Sequence, residues 1–102
     1  MIINLTPHEI KINELVFVPS GIVARVSQKI TPVKMFDGIP LVVTKFGETI
    51  DLPEYEDDTL LIVSAMVRIA NPDRNDLASP GDLVRNENGQ VVGCNNLIIN
   101  NL

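Results

Sequence analysis

The sequence predicts an α+β domain, a mainly antiparallel β-sheet with one short helix, with an all-β domain as the alternative. Three observations carry this expectation. Apolar residues make up 45% of the chain and are mainly Ile, Val and Leu, which suit pleated, half-buried strands. Seven Pro and six Gly fall at fairly even intervals, the mark of many short strands joined by turns. Several stretches alternate apolar with polar residues, the period of a strand that buries one face. With 102 residues there is room for one modest core, so residues 1–102 read as a single small β-rich domain.

The elements follow in order. Ile2 to Leu5 reads as a short strand stopped by Thr6-Pro7-His8. From Glu9 the pattern alternates, with Ile10 and Ile12 on one side, and Asn13-Glu14 turns the chain so that Leu15 to Val18 returns. Pro19-Ser20-Gly21 ends that pair, and Ile22 to Ser27 alternates again. Lys29 to Lys34 is interrupted by Pro32 and reads as an edge strand or a loop. Asp37-Gly38 is a turn. Leu41 to Phe46 is a strand, Gly47-Glu48 a hairpin turn and Thr49 to Leu52 the returning strand.

Residues 48 to 58 carry six acids and no base, a solvated stretch. Leu60 to Val63 reads as a buried strand. Ser64 is a helix N-cap for Ala65 to Ala70, which Asn71-Pro72 must end; one continuous strand from Leu60 to Ile69 is the alternative. Asp73 to Pro80 reads as a polar loop. Leu83 to Arg85 and Val91 to Val92 flank Asn86-Glu87-Asn88-Gly89 as a hairpin, with Gly89 free to take positive φ. Leu97 to Ile99 adds a last strand, and Asn100-Asn101-Leu102 is expected to fray. Phe17 and Phe46 are expected in the core. Phe36 and Tyr55 sit near turns.

Composition excludes several function classes. The net charge is −5, from 13 acids and 8 bases, and no basic run exists to displace counterions from a nucleic-acid duplex. A single cysteine, Cys94, forbids a disulfide within the chain, and with His8 as the lone histidine there is no zinc-type cluster. Cys94 reads as a small apolar residue near a strand end. The acids at 54–58 lack the spacing of a calcium loop, so no metal and no cofactor is expected. No basic leader opens the chain and no apolar run is long enough to span a bilayer, so a cytoplasmic protein without a membrane partner is expected. No nucleophile–base order, phosphate-binding loop or dinucleotide fingerprint occurs, so catalysis is not expected.

The remaining candidates are the guanidinium groups. Their planar forks match phosphate or carboxylate. Arg25, Arg74 and Arg85, joined by Asn75, Asp76 and Ser79 from the polar segment 71–81, form the candidate ligand-binding set. The competing reading is that each Arg is a surface charge with a local acidic partner, since Asp73, Asp76 and Asp82 are close by in sequence.

The whole chain also resembles a family of short phage, prophage and bacterial proteins that begin Asn-Leu-Thr-Pro-His. The likeness is carried by Asn4-Leu5-Thr6-Pro7-His8, Pro19-Ser20-Gly21, Gly38-Ile39-Pro40, Phe46-Gly47-Glu48, Pro72-Asp73-Arg74-Asn75-Asp76-Leu77 and Gly89-Gln90-Val91-Val92-Gly93-Cys94. Where the family tends to place Tyr before the Gly-Glu pair, this chain has Phe46. By analogy with the Thoeris and CBASS anti-defence sponges, the resemblance implies a small binding protein that sequesters an anionic nucleotide signal without catalysis. A protein-binding accessory or inhibitor acting on a host or virion partner is the alternative, and a nucleotide-cleaving enzyme a second one. Exposed strand edges favour a homodimer or a higher homo-oligomer.

Overall fold

A computed structural model of the chain describes residues 1–101. Ten strands and one helix are arranged as two four-stranded sheets and a separate two-stranded ribbon. The predicted class holds: the chain is mostly strand, with a single short helix, and both four-stranded sheets are open.

The first sheet forms around β6, Leu60–Ile62. On one side it pairs in parallel with β1, Ile2–Asn4, and on the other in parallel with β7, Leu77–Pro80. Strand β10, Leu97–Ile99, closes the far side of β7 in antiparallel register. Because side chains alternate along a strand, β6 is buried on both faces. Leu61 belongs to one core cluster with Leu5, Ala24, Val63, Val67 and Leu77. Ile62 faces the other way, onto Ile12 and Cys94.

The second sheet supplies that other layer. Its order is β3 (Leu15–Phe17), β2 (Ile10–Ile12), β9 (Val91–Cys94), β8 (Leu83–Arg85). Two antiparallel hairpins are joined where β2 and β9 run parallel, Ile12 beside Cys94. Gly93 permits the approach, because a Cβ there would lie 2.9 Å from the Lys11 carbonyl oxygen.

Helix α1, Ala65–Ala70, begins as its cap predicts: the Val67 N–H donates to Ser64 Oγ at 3.2 Å. Its buried residue, Val67, joins the first core. The tail is stitched down rather than frayed at Asn100. Its amide donates to the carbonyls of Arg68, Asn71 and Arg74, each at 3.0 Å, which satisfies the end of the helix. Leu102, the last of the three residues expected to fray, lies outside the described residues.

The ribbon departs most from expectation. Strand β4 runs Arg25–Phe36 and β5 runs Ile39–Ile50, twelve residues each, paired only with one another. Ile22 to Val23 is not strand, and Pro32 does not interrupt β4. It sits at an irregularity between Pro32 and Lys34, where the missing N–H is tolerated. Gly47-Glu48 is not a turn. The chain passes straight through it, beside a second register shift between Val26 and Gln28. The Ser27 hydroxyl occupies the space a Cβ on Gly47 would take, while the Ser27 backbone stays at ordinary contact distance. The actual turn is Asp37-Gly38, with φ of 49° and 81°. The segment Leu77–Pro80 is likewise a buried strand and not part of a loop.

This long hairpin stretches the molecule. The radius of gyration is 16.1 Å, against about 13 Å for a compact chain of this length. No helix among the described residues is long and apolar enough to cross a membrane.

Candidate functional site

The six expected ligand residues do not form one constellation. Arg74, Asn75 and Asp76 are adjacent, but Arg74 is spent on its neighbour. Its Nε and Nη2 donate to Asp76 Oδ1 and Oδ2, both at 2.8 Å, and Nη2 also donates to the Pro53 carbonyl at 2.8 Å. The pair is the one ion pair among the described residues. Hydrogen bonds from Arg74, and then its charge, hold the Asp76 carboxyl below the usual carboxylate range. The same hydrogen bonding pushes the Arg74 guanidinium up.

Asn75 and Asp76 border a shallow cleft of about 380 Å³ with Met1, Tyr55 and Asp58. The side-chain charges there are carboxylates. The nearby charge of Asp57 also pushes the Tyr55 phenol up. Ser79 is buried, and its Oγ accepts from Arg68 Nε at 2.8 Å. Arg85 lies in the second sheet and donates to the Gly89 carbonyl at 2.8 Å. Arg25 stands at the base of the ribbon, opposite Ile50, beside a cleft bordered by Thr6, Ser64 and Met66. No group of three or more His, Cys, Asp or Glu able to hold a metal occurs among the described residues.

The opening motif turns out to be structural. Asn4 is buried and fully engaged: its amide donates to the His8 carbonyl at 2.8 Å and the Phe17 carbonyl at 2.9 Å. Its Oδ1 accepts from the Thr6 N–H and hydroxyl at 2.9 and 2.7 Å. Asn4 therefore ties β1 of the first sheet to β3 of the second.

An extended exposed surface is the arm formed by β4 and β5. None of its 24 strand residues is buried. Only its base is held, by packing against α1, by Val26 on the first core and by Asn71 Nδ2 donating to Thr49 Oγ1 at 2.9 Å. The register sorts the arm into two faces, because cross-strand partners share a face and neighbours alternate. One face holds the pairs Lys29–Lys45, Thr31–Val43, Lys34–Leu41 and Phe36–Ile39. The other holds Gln28–Phe46, Ile30–Thr44, Pro32–Val42 and Met35–Pro40, with no charged residue. Phe46, expected in the core, is 40% exposed; Ile30 and Met35 exceed 60%.

Sequence reasoning missed this surface. The signal for it was present in Ile39-Pro40-Leu41-Val42-Val43, which is apolar at both strand parities and so offers an apolar side to each face of a ribbon. Compared with protein-family models, curated proteins and solved structures, the chain has no match.

Proposed function

We propose that this chain is a non-catalytic protein-binding accessory that works through the β4–β5 arm. One observation carries the reading. A twelve-residue two-stranded ribbon presents apolar side chains on both faces and buries none of them. Contiguous exposed apolar surface of this extent marks interaction sites in stable proteins. A two-stranded ribbon on its own is marginal in water, so a partner that covers it also stabilises it. The ribbon's free strand edges offer a second mode of contact, by strand addition.

The anion-sequestering expectation draws less support from the geometry. Its guanidinium groups lie in separate elements, and Arg74 already holds a carboxylate.

The test is hydroxyl-radical labelling of Met35 and Phe36, in dilute purified protein and inside producing cells. The arm reading expects rapid labelling in dilution and strong protection in cells. Equal labelling in both removes it. A thermal shift with a panel of cyclic nucleotides, with Met35 and Phe36 labelled equally in both settings, would favour the sequestration reading instead.

A further inference from the structure

The arm and the rest of the chain carry opposite charge. Residues 25–50 hold four bases (Arg25, Lys29, Lys34, Lys45) against two acids (Asp37, Glu48), a net of +2. The remaining residues hold four bases against eleven acids, a net of −7, and the two parts restore the chain's −5. Within the arm the bases are sorted as well: all three lysines lie on one face.

Lys29 and Lys45 stand directly opposite one another, and neither makes an ion pair among the described residues. Like charges at directly opposed positions weaken a ribbon. Such a pair is tolerated at lower cost when an acidic surface lies over it. The body carries such a surface. Between Asp51 and Asp58 there are five acids and no base, all five exposed, with an exposed Tyr55 among them. This segment begins where β5 ends.

From this complementarity we propose that the lysine face of the arm seats on segment 51–58 of a second copy of this chain. The inference rests on the arm being a docking surface, and it names the partner. Each copy holds both an arm and an acidic segment, and the proposed dimer pairs them about a two-fold axis, with each arm on the other's segment. Lys29, Lys34 and Lys45 meet the carboxylates. Val43 and Leu41, between the lysines, meet Tyr55, whose ring also accepts a lysine over its face.

The size suits a weak, specific contact. The eight positions from Lys29 to Phe36 span about 26 Å, and two strands with their side chains about 10 Å in width. One such strip, plus an equal area where the partner's strip lands, comes to roughly 500 Å² per chain, at the small end of specific interfaces.

The test is sedimentation of the full chain from about 1 to 100 µM, a range that brackets micromolar association. The expected species has twice the 11.2 kDa chain mass and weakens as salt is raised, because the paired charges are exposed at the rim. K29E/K34E/K45E and E54K/E56K/D57K/D58K, which turn the arm face and the segment to the opposite net charge, are each expected to be monomeric, with unchanged circular dichroism. Mixed in equal amounts, they are expected to regain the dimer, since both contacts then pair opposite charges.

A wild-type chain that stays monomeric throughout overturns the inference, and so does loss in both variants without recovery in the mixture. A dimer that survives K29E/K34E/K45E but is broken by I30R, on the uncharged face, overturns it too. Protection of Met35 in cells alongside a monomeric purified chain leaves the docking reading standing and removes only the second copy. Equal labelling in both settings removes the docking reading itself.

Discussion

Arg74 grips both oxygens of Asp76, its neighbour two positions on, while the Asp76 side chain is almost fully withdrawn from solvent. The two groups bracket the entry to β7, where the Asp76 carbonyl also accepts from the Leu61 N–H at 2.8 Å. Removing the cation leaves a carboxylate in a dry position without its fork of donors. The Arg74→Ala variant is therefore expected to lose about 2–3 kcal/mol, the cost of stranding a charged hydrogen-bond partner. Urea unfolding followed by circular dichroism measures it.

The same pair gives a pH dependence of known sign. Asp76 has a folded-state pKa below its unfolded value of about 3.9. A depressed acid contributes stability that is fully present above the unfolded value and is lost as pH falls through the folded one. The melting temperature of the wild type is expected to drop below about pH 4 more steeply than that of Arg74→Met, whose Asp76 lacks the stabilising cation. Parallel melts between neutral pH and pH 3 decide it. Equal slopes would show that the pair contributes nothing.

Asn4 makes four hydrogen bonds from a buried position, two through its amide and two through its carbonyl oxygen. Asn4→Ala strands the Phe17 carbonyl contact and the Thr6 N–H, while the His8 carbonyl keeps the Thr6 hydroxyl at 3.0 Å. The expected loss is about 2 kcal/mol, since each unsatisfied buried group costs on the order of 1 kcal/mol or more. Asn4→Asp keeps the acceptor toward Thr6 but buries a carboxylate whose second oxygen faces the His8 and Phe17 carbonyls, and is expected to cost more than Asn4→Ala at neutral pH. Denaturant midpoints of the three proteins order them.

Gly93 and Gly89 should respond differently to a side chain. At Gly93 the obstacle is space, because the Lys11 carbonyl oxygen lies against the missing Cβ. Gly93→Val is expected to separate β2 from β9 and cost about 1–3 kcal/mol by overpacking. At Gly89 the surroundings are open and the obstacle is a φ of 78°. Gly89→Asn, which tolerates that conformation, is expected to be nearly silent. Thermal melts of the two variants separate these causes.

What the sequence disclosed was local. The Ser64 cap with the Asn71-Pro72 stop located α1, the Asn13-Glu14 turn located β2 and β3, and Asn86 to Gly89 located the last hairpin. Each signal acts within a few residues, where capping and turn chemistry decide the outcome. The misreadings were of residues whose role is settled by distant partners. Gly47 looked like a turn because glycine favours turns, but it lies inside β5, beside a register shift set by the facing strand. Leu77-Ala78-Ser79 looked like the end of a polar loop, but Ser79 is buried because Arg68, eleven residues away, supplies its hydrogen bond. The parallel order around β6 has no local signature at all. The arm escaped notice for a related reason: alternation identifies a strand with one wet face, and here exposed apolar side chains stand on both faces, beside the lysines on one of them.

The placement of β6 has a consequence for how the chain is made. Strand β1 is synthesised first, yet its hydrogen-bonded neighbour begins at Leu60, so nearly sixty residues must emerge before the two can join. The hairpin lying between them needs only its own residues to close, and local pairings of that kind form early. During translation the residues of the sticky ribbon therefore emerge before the body that will anchor them. Any chaperone or sister polypeptide near the ribosome meets the ribbon before that body has formed.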